Sequence, residues 1–473
     1  MLEFTDIMVM AAYFTALLVI GIRTLRTQDS TEVYFLGGRS LKTPSLTVLW
    51  FASWIGGASI VATVNRAYTL GISAIWYVTA LATGCLLFGL LMAARVKRLG
   101  DEHQFLTYPE LMESAFDHRT RIVATITTIL SFLAYAGGQL AAAAGVVSML
   151  LDLAYGEALL ITGGIVVAYT TLGGFRAITQ TDWIQALLIF FGLLCIGLPI
   201  AWLEGGQPSA FHESLPIDYF EFGTWGWNTI IPMVLSIVLS FFVAMDSFTR
   251  CYAADSTQSA RRAPLLAGLL ILPMGLAAVW LGMTALITLP PIESGDDVLT
   301  AFVMAYFPAG IKGLMLCGVL AAIMSTADIC ILTAAGNVTH DLYERFINPE
   351  APRKTLLIMS MLASAIVGCG AVFLAWQMRD VIDLLVLGFT MNAAALFLPT
   401  IWAVYQWRGD ATASFYSAMT GLMTVLVCHF AMEALPMHPF FEDPLWPGLV
   451  SASLVYLGIL LLRQRPTLGS ASH

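Results

Sequence analysis

Apolar runs of about 20 residues recur along almost the whole chain, the length a helix needs to cross a hydrocarbon core. A water-soluble surface cannot be built around so many of them. Only 11% of the 473 residues are charged and 58% are hydrophobic, far from the balance of a soluble domain. The two-residue alternation of a membrane β-barrel is missing. The expected fold is therefore all-α: a polytopic membrane protein built as a helical bundle.

Thirteen windows qualify as spans, at about 5–22, 44–65, 72–94, 122–151, 156–174, 182–203, 228–249, 264–288, 299–340, 355–377, 381–405, 412–434 and 446–463. The ninth is too long for one crossing, and divides into a short outer helix and a span from about 312 to 340. The N-terminus begins with Glu3 and Asp6 and has no lysine or arginine before its apolar run, so the first window reads as a retained span rather than a signal peptide. Placing the N-terminus outside puts 19 of the 22 lysines and arginines on the cytoplasmic side and leaves only Arg66, Lys312 and Arg379 outside. Basic residues stay cytoplasmic, so this orientation is expected, with the C-terminus inside and the inner (plasma) membrane as location. Residues 1–467 then form one transmembrane domain, and 468–473 a short disordered tail.

Several function classes fall away. A net charge of −9 is no footprint for nucleic acid. The seven cysteines stand singly, without a C-x-x-C pair, which points to neither a disulfide framework nor a zinc site. No Walker sequence, G-x-S-x-G or H-E-x-x-H occurs, so neither ATP use nor covalent catalysis is expected.

Polar groups inside spans cost free energy and need a reason. In the second span, Trp54-Ile55-Gly56-Gly57 places paired glycines mid-helix, each costing about 1 kcal/mol relative to alanine. Unwinding there would free carbonyl oxygens for an alkali cation; close packing of helices explains the glycines equally well. In the ninth span, Ser325, Thr326 and Asp328 share one turn. Their oxygens suit sodium, although the hydroxyls can also bond back to the preceding turn. Asp328 needs a partner, a proton or an ion. Asp182 is either a cation ligand or the cap of the sixth span, with Gln185 completing a capping box. Asp246 and Arg250, four residues apart, suit a helix-face ion pair, or else Asp246 faces a cavity and meets an amine. Trp54 and Tyr135 lie mid-span, away from the interfacial positions such rings usually take.

These blocks resemble the sodium/solute symporter family. The carrying motifs are Tyr34-Phe35-Leu36-Gly37-Gly38-Arg39, Tyr169-Thr170 with Gly173-Gly174-Phe175 and Ala177, Thr181-Asp182 with Gln185, Leu320 to Asp328, and Asp341-Leu342-Tyr343. The resemblance implies an inverted five-plus-five repeat with broken helices, at about 44–203 and 228–405. It also implies a coupling sodium ion held by the carbonyls of Ala52, Ile55 and Ala322 and the hydroxyls of Ser325 and Thr326, and no other cofactor. Asp182 and Asp328 mark a possible second cation or proton site, where the hydroxyls usual in the family are replaced by Asp328 and Ile329. Trp54 stands where the proline transporters of the family have an aspartate. Trp54-Ile55-Gly56-Gly57 and Ala327-Asp328 with Ile331-Leu332 look more like the choline-transporter branch, although Ala244 replaces one of that branch's cage tryptophans. The implied activity is import of a small amine-bearing solute, an amino acid such as proline or a choline-like compound. Trp54, Gly56, Tyr135, Phe241, Met245 and Asp246 are the candidate contacts. A proton-coupled carrier of the same fold, using Asp328 or Asp246, and a solute sensor without transport are the alternatives.

Overall fold

The computed structural model describes residues 2–25, 39–173, 175–292, 297–407, 409–431 and 443–464, and it is helical nearly throughout. The helices are α1 (Phe4–Leu25), α2 (Thr43–Trp54), α3 (Gly57–Leu70), α4 (Ile75–Leu91), α5 (Ala93–His103), α6 (Tyr108–Ala115), α7 (His118–Leu151), α8 (Tyr155–Gly173) and α9 (Phe175–Phe191). A π-helical stretch, Gly192–Gly197, carries α9 into α10 (Leu198–Leu203), and α11 (Pro208–Ser214) follows. The second half holds α12 (Trp227–Phe241), α13 (Met245–Ala253), α14 (Thr257–Thr288), α15 (Val298–Tyr306), α16 (Ile311–Gly336), α17 (Arg353–Gln377), α18 (Val381–Tyr405), α19 (Ala411–Ala431) and α20 (Leu445–Gln464). A second π-helical stretch, Asn337–Ile347, extends α16.

Among the described residues, ten segments are long and apolar enough to cross a membrane, and two shorter apolar helices lie at Phe4–Tyr13 and Tyr155–Ala168. The segmentation differs from thirteen separate windows. The second window is cut at Ile55–Gly56, and its second half runs with the third as one apolar segment, Ser59–Leu91, because a single 3₁₀ turn at Gly71–Ala74 joins α3 to α4. The ninth window does divide into a short helix, α15, and a long one, α16. The seventh window is also cut, between α12 and α13. Asp182 lies inside α9, which already starts at Phe175, so the reading of Asp182 as that helix's cap is wrong.

Burial sorts the helices into centre and rim. The apolar window of α16 is 83% buried and that of α7 is 78% buried, against 22% for α20. α7 packs along both α16 and α18, α14 packs against α3 and α4, and α19 and α20 pair with each other beside α18.

The first helix grips α16 directly. The Asp6 carboxylate accepts hydrogen bonds from the N–H groups of Gly310 (2.7 Å) and Gly313 (2.9 Å), and from that of Glu3 (2.9 Å). A helix leaves its first N–H groups without partners, and Asp6 satisfies two of them from another helix. A Cβ at Gly313 would lie 2.7 Å from the Asp6 Cα, so only glycine allows this approach.

Candidate functional site

The break in α2 forms one wall of the site. Its ladder closes when the Ile55 N–H donates to the Phe51 carbonyl (2.9 Å), and α3 restarts when the Ser59 N–H donates to the Gly56 carbonyl (3.1 Å). The carbonyls of Ala52 to Ile55 lie past the closing bond, where a helix leaves its acceptors free. The Trp54 carbonyl accepts from the Ser59 hydroxyl (3.2 Å). A Cβ on Gly56 would come within 2.8 Å of the Thr326 Oγ1 and 3.5 Å of the Ala52 carbonyl oxygen. Ala52, Gly56 and Thr326 therefore converge, and Gly56 is needed because no side chain fits there. On α16 the Ser325 and Thr326 hydroxyls donate to the Ala322 carbonyl at 3.1 and 2.9 Å. This is the back-bonded arrangement, yet a donating hydroxyl keeps lone pairs on its oxygen. Both side chains are buried, and so is Ile55.

Next to this wall lies a cavity of about 40 Å³, bounded by Trp54, Tyr135, Gln139, Asp246, Arg250 and Thr326, among others. Trp54, Tyr135 and Asp246 of the expected contacts line it. Gly56, Phe241 and Met245 are not among its lining residues. Phe241 stacks on Trp54 with ring centres 4.0 Å apart, and Met245 is buried at the start of α13. The Tyr135 hydroxyl meets Ser240 Oγ (3.2 Å) and accepts from Asn392 Nδ2 (3.3 Å). Arg250 Nη1 donates to Asp246 Oδ2 at 2.6 Å, so the helix-face ion pair is present. The other carboxylate oxygen, Oδ1, is buried with no hydrogen-bond partner among the described residues. The Gln139 Oε1 is in the same state.

Asp328 is buried and turned toward α8, where it accepts from the Thr170 hydroxyl. The Ser325 and Thr326 hydroxyls turn back to Ala322, while Asp328 takes the Thr170 hydroxyl from α8. The Asp182 side chain lies outside the described residues, as do most of the Tyr34–Arg39 motif and residues 468–473.

The site thus sets a broken α2 against paired hydroxyls on α16. The family model described as "Sodium:solute symporter family" matches residues 34–421. The chain belongs to the sodium:solute symporter family. It is 26% identical to the sodium/proline symporter of Haemophilus influenzae, over 96% of this chain and 94% of that protein. It is 23% identical to the high-affinity proline transporter of Bacillus subtilis, over 95% and 97%. Among solved structures, a Na+-coupled sialic acid symporter in a substrate-bound outward-open state superposes with a TM-score of 0.79, at 17% identity over 97% of this chain and 98% of that one. A nucleobase-cation-symport-1 family transporter superposes at 0.58, at 17% identity over 92% and 96%.

The two sides of the site differ. A cavity of about 740 Å³ opens beside Asn65, Arg66, Tyr155, Asp297, Arg379 and Asp380. At the opposite end an ionic network joins α6 and α7 to the tail of α16. Arg121 meets Asp341 (2.6 Å) and Glu113 (2.5 Å), Arg345 also meets Glu113 (2.8 Å), and His340 lies between Glu110 (2.9 Å) and Glu344 (2.7 Å). Burial pushes the Glu110 and Glu113 carboxyls up. Hydrogen bonds outweigh it and hold both below their ordinary value, from His340 to Glu110 and from Arg345 and Arg121 to Glu113.

Sequence reasoning missed Gln139, Phe389 and the place of Arg250 in the cavity lining. Gln139 carried a usable signal: it is an uncompensated amide one turn beyond Tyr135 in an apolar span.

Proposed function

We propose that this protein imports a small amine-bearing solute, with proline as the first candidate, by coupling it to inward movement of sodium across the plasma membrane. The observation that carries the reading is the convergence of the α2 break, at Ala52 to Gly56, on the Thr326 hydroxyl of α16, directly beside a cavity holding the unpartnered Asp246 Oδ1. Sodium takes hard oxygen ligands. The carbonyls of Ala52, Ile55 and Ala322 with the hydroxyls of Ser325 and Thr326 would supply five. An ion bound there ties α2 to α16 and so fixes the wall against which the solute packs. The solute's ammonium meets Asp246, and its apolar body meets Trp54 and Tyr135.

In this reading the N-terminus is outside, and the open cavity at Arg66 and Arg379 is the outer vestibule. The ionic network around Arg121 and Asp341 is then the closed inner side. Two five-helix repeats, at about 44–203 and 228–405, rock against each other around the site, and sodium leaves inward past Asp182. Binding is reciprocal: whatever factor sodium adds to solute affinity, solute adds to sodium affinity. A potential of 100 mV contributes about 2.3 kcal/mol for each charge carried. The proline names of the relatives support an amino acid as cargo.

Thermal unfolding of the purified protein tests this. A ligand that binds only the folded state raises the melting temperature. Proline or a related amine is expected to stabilise strongly in sodium and weakly in potassium. A panel of amines, amino acids and sugars without effect, in a protein equally indifferent to sodium, would overturn the assignment.

A further inference from the structure

Arg250 occupies the place where a ligand's positive charge was expected. Its guanidinium carbon stands 5.2 Å from the ring centre of Trp50 and 5.9 Å from that of Trp54. The same side chain holds Asp246 Oδ2 at 2.6 Å and is 5% exposed. An aromatic face attracts a cation placed within about 6 Å of its centre. Here that attraction is already taken by a guanidinium of the chain itself. Phe241 covers Trp54 further, stacked at 4.0 Å. A second cation brought to these rings would meet a like charge in a dry, low-dielectric site.

The polar atoms left over ask for something else. Asp246 Oδ1 and Gln139 Oε1 are buried acceptors, and Trp54 Nε1 is a buried donor, each without a hydrogen-bond partner among the described residues. All three residues line the cavity together with Arg250. Buried polar atoms are costly when unmatched, so a bound solute is favoured if it matches them. Two free acceptors fit an ammonium group. A guanidinium beside a free indole N–H fits a carboxylate.

We propose that Arg250 is the specificity-determining residue of this site: a built-in cation that admits zwitterionic amino acids and excludes solutes whose only charge is positive. The inference rests on the solute-binding reading above and deepens it from amines in general to amines that also carry a carboxylate. The two tryptophan rings on this side of the site already hold a cation of the chain itself.

The test measures binding in sodium with three probes: proline, prolinamide, which lacks the carboxylate and is a plain cation, and choline. The wild type is expected to bind proline, to bind prolinamide about tenfold more weakly or worse, and not to bind choline. Arg250→Gln is expected to lose a similar factor for proline and to gain choline binding. Equal binding of prolinamide and proline by the wild type would overturn the proposal. So would an Arg250→Gln protein that keeps its sodium-induced rise in melting temperature yet gains no choline. Should that variant fail to fold, the prolinamide comparison on the wild type decides alone. Failure of the broader reading looks different: the wild type would then bind no solute in a sodium-dependent way, which overturns both. Failure of the Arg250 assignment alone leaves sodium-dependent binding in place and removes only the discrimination by charge.

Discussion

Thr326 shows how one side chain can look purely structural and still serve a site. Its hydroxyl donates to Ala322, the bond that makes a mid-helix threonine unremarkable, while its oxygen faces the gap left by Gly56. Removing both neighbouring hydroxyls, as Ser325→Ala with Thr326→Ala, deletes two proposed sodium ligands and leaves the buried packing almost unchanged. The double variant is expected to fold and to lose sodium-stimulated solute uptake; normal sodium dependence in a transport assay would sink the ligand assignment. These hydroxyls were legible in the sequence because polar groups in an apolar span require a reason. The ion pair of Asp246 with Arg250 was legible from its four-residue spacing. The stacking of Arg250 on Trp50 and Trp54 was not, because it joins two helices far apart in the chain and follows from how they cross.

At the scale of elements, two broken helices and one clamp set the geometry. The break in α2 announces itself through Gly56-Gly57. The break between α12 and α13 falls on Phe242-Val243-Ala244, with neither glycine nor proline. A weak signal existed: Asp246 lies in the first turn of α13 and Arg250 in its last, the charge order that suits a short helix's dipole. The clamp is Asp6 on the first turn of α16. An N-cap side chain contributes about 0.5–2 kcal/mol, so Asp6→Ala is expected to lower the melting temperature measurably. Because α16 carries Ser325 and Thr326, the same variant should weaken the sodium-induced rise in melting temperature. An unchanged sodium response would mean that α1 only decorates the bundle. Nothing in the sequence showed which helix Asp6 would reach.

At the scale of the molecule, a wide cavity lies on one side of the bundle and an ionic network on the other. The apolar windows made the all-helical membrane fold legible, and the ordered motifs made the family legible. The exact division of windows was not, since a 3₁₀ turn such as Gly71–Ala74 can join two helices without leaving a polar loop. Sodium held between α2 and α16 is expected to drive the solute. The most direct test is solute uptake into vesicles holding the purified protein, with an inward sodium gradient imposed in one set and an inward proton gradient without sodium in the other. Accumulation above equilibrium under the sodium gradient, and none under the proton gradient, is the predicted result. Accumulation under the proton gradient that ignores sodium would contradict it.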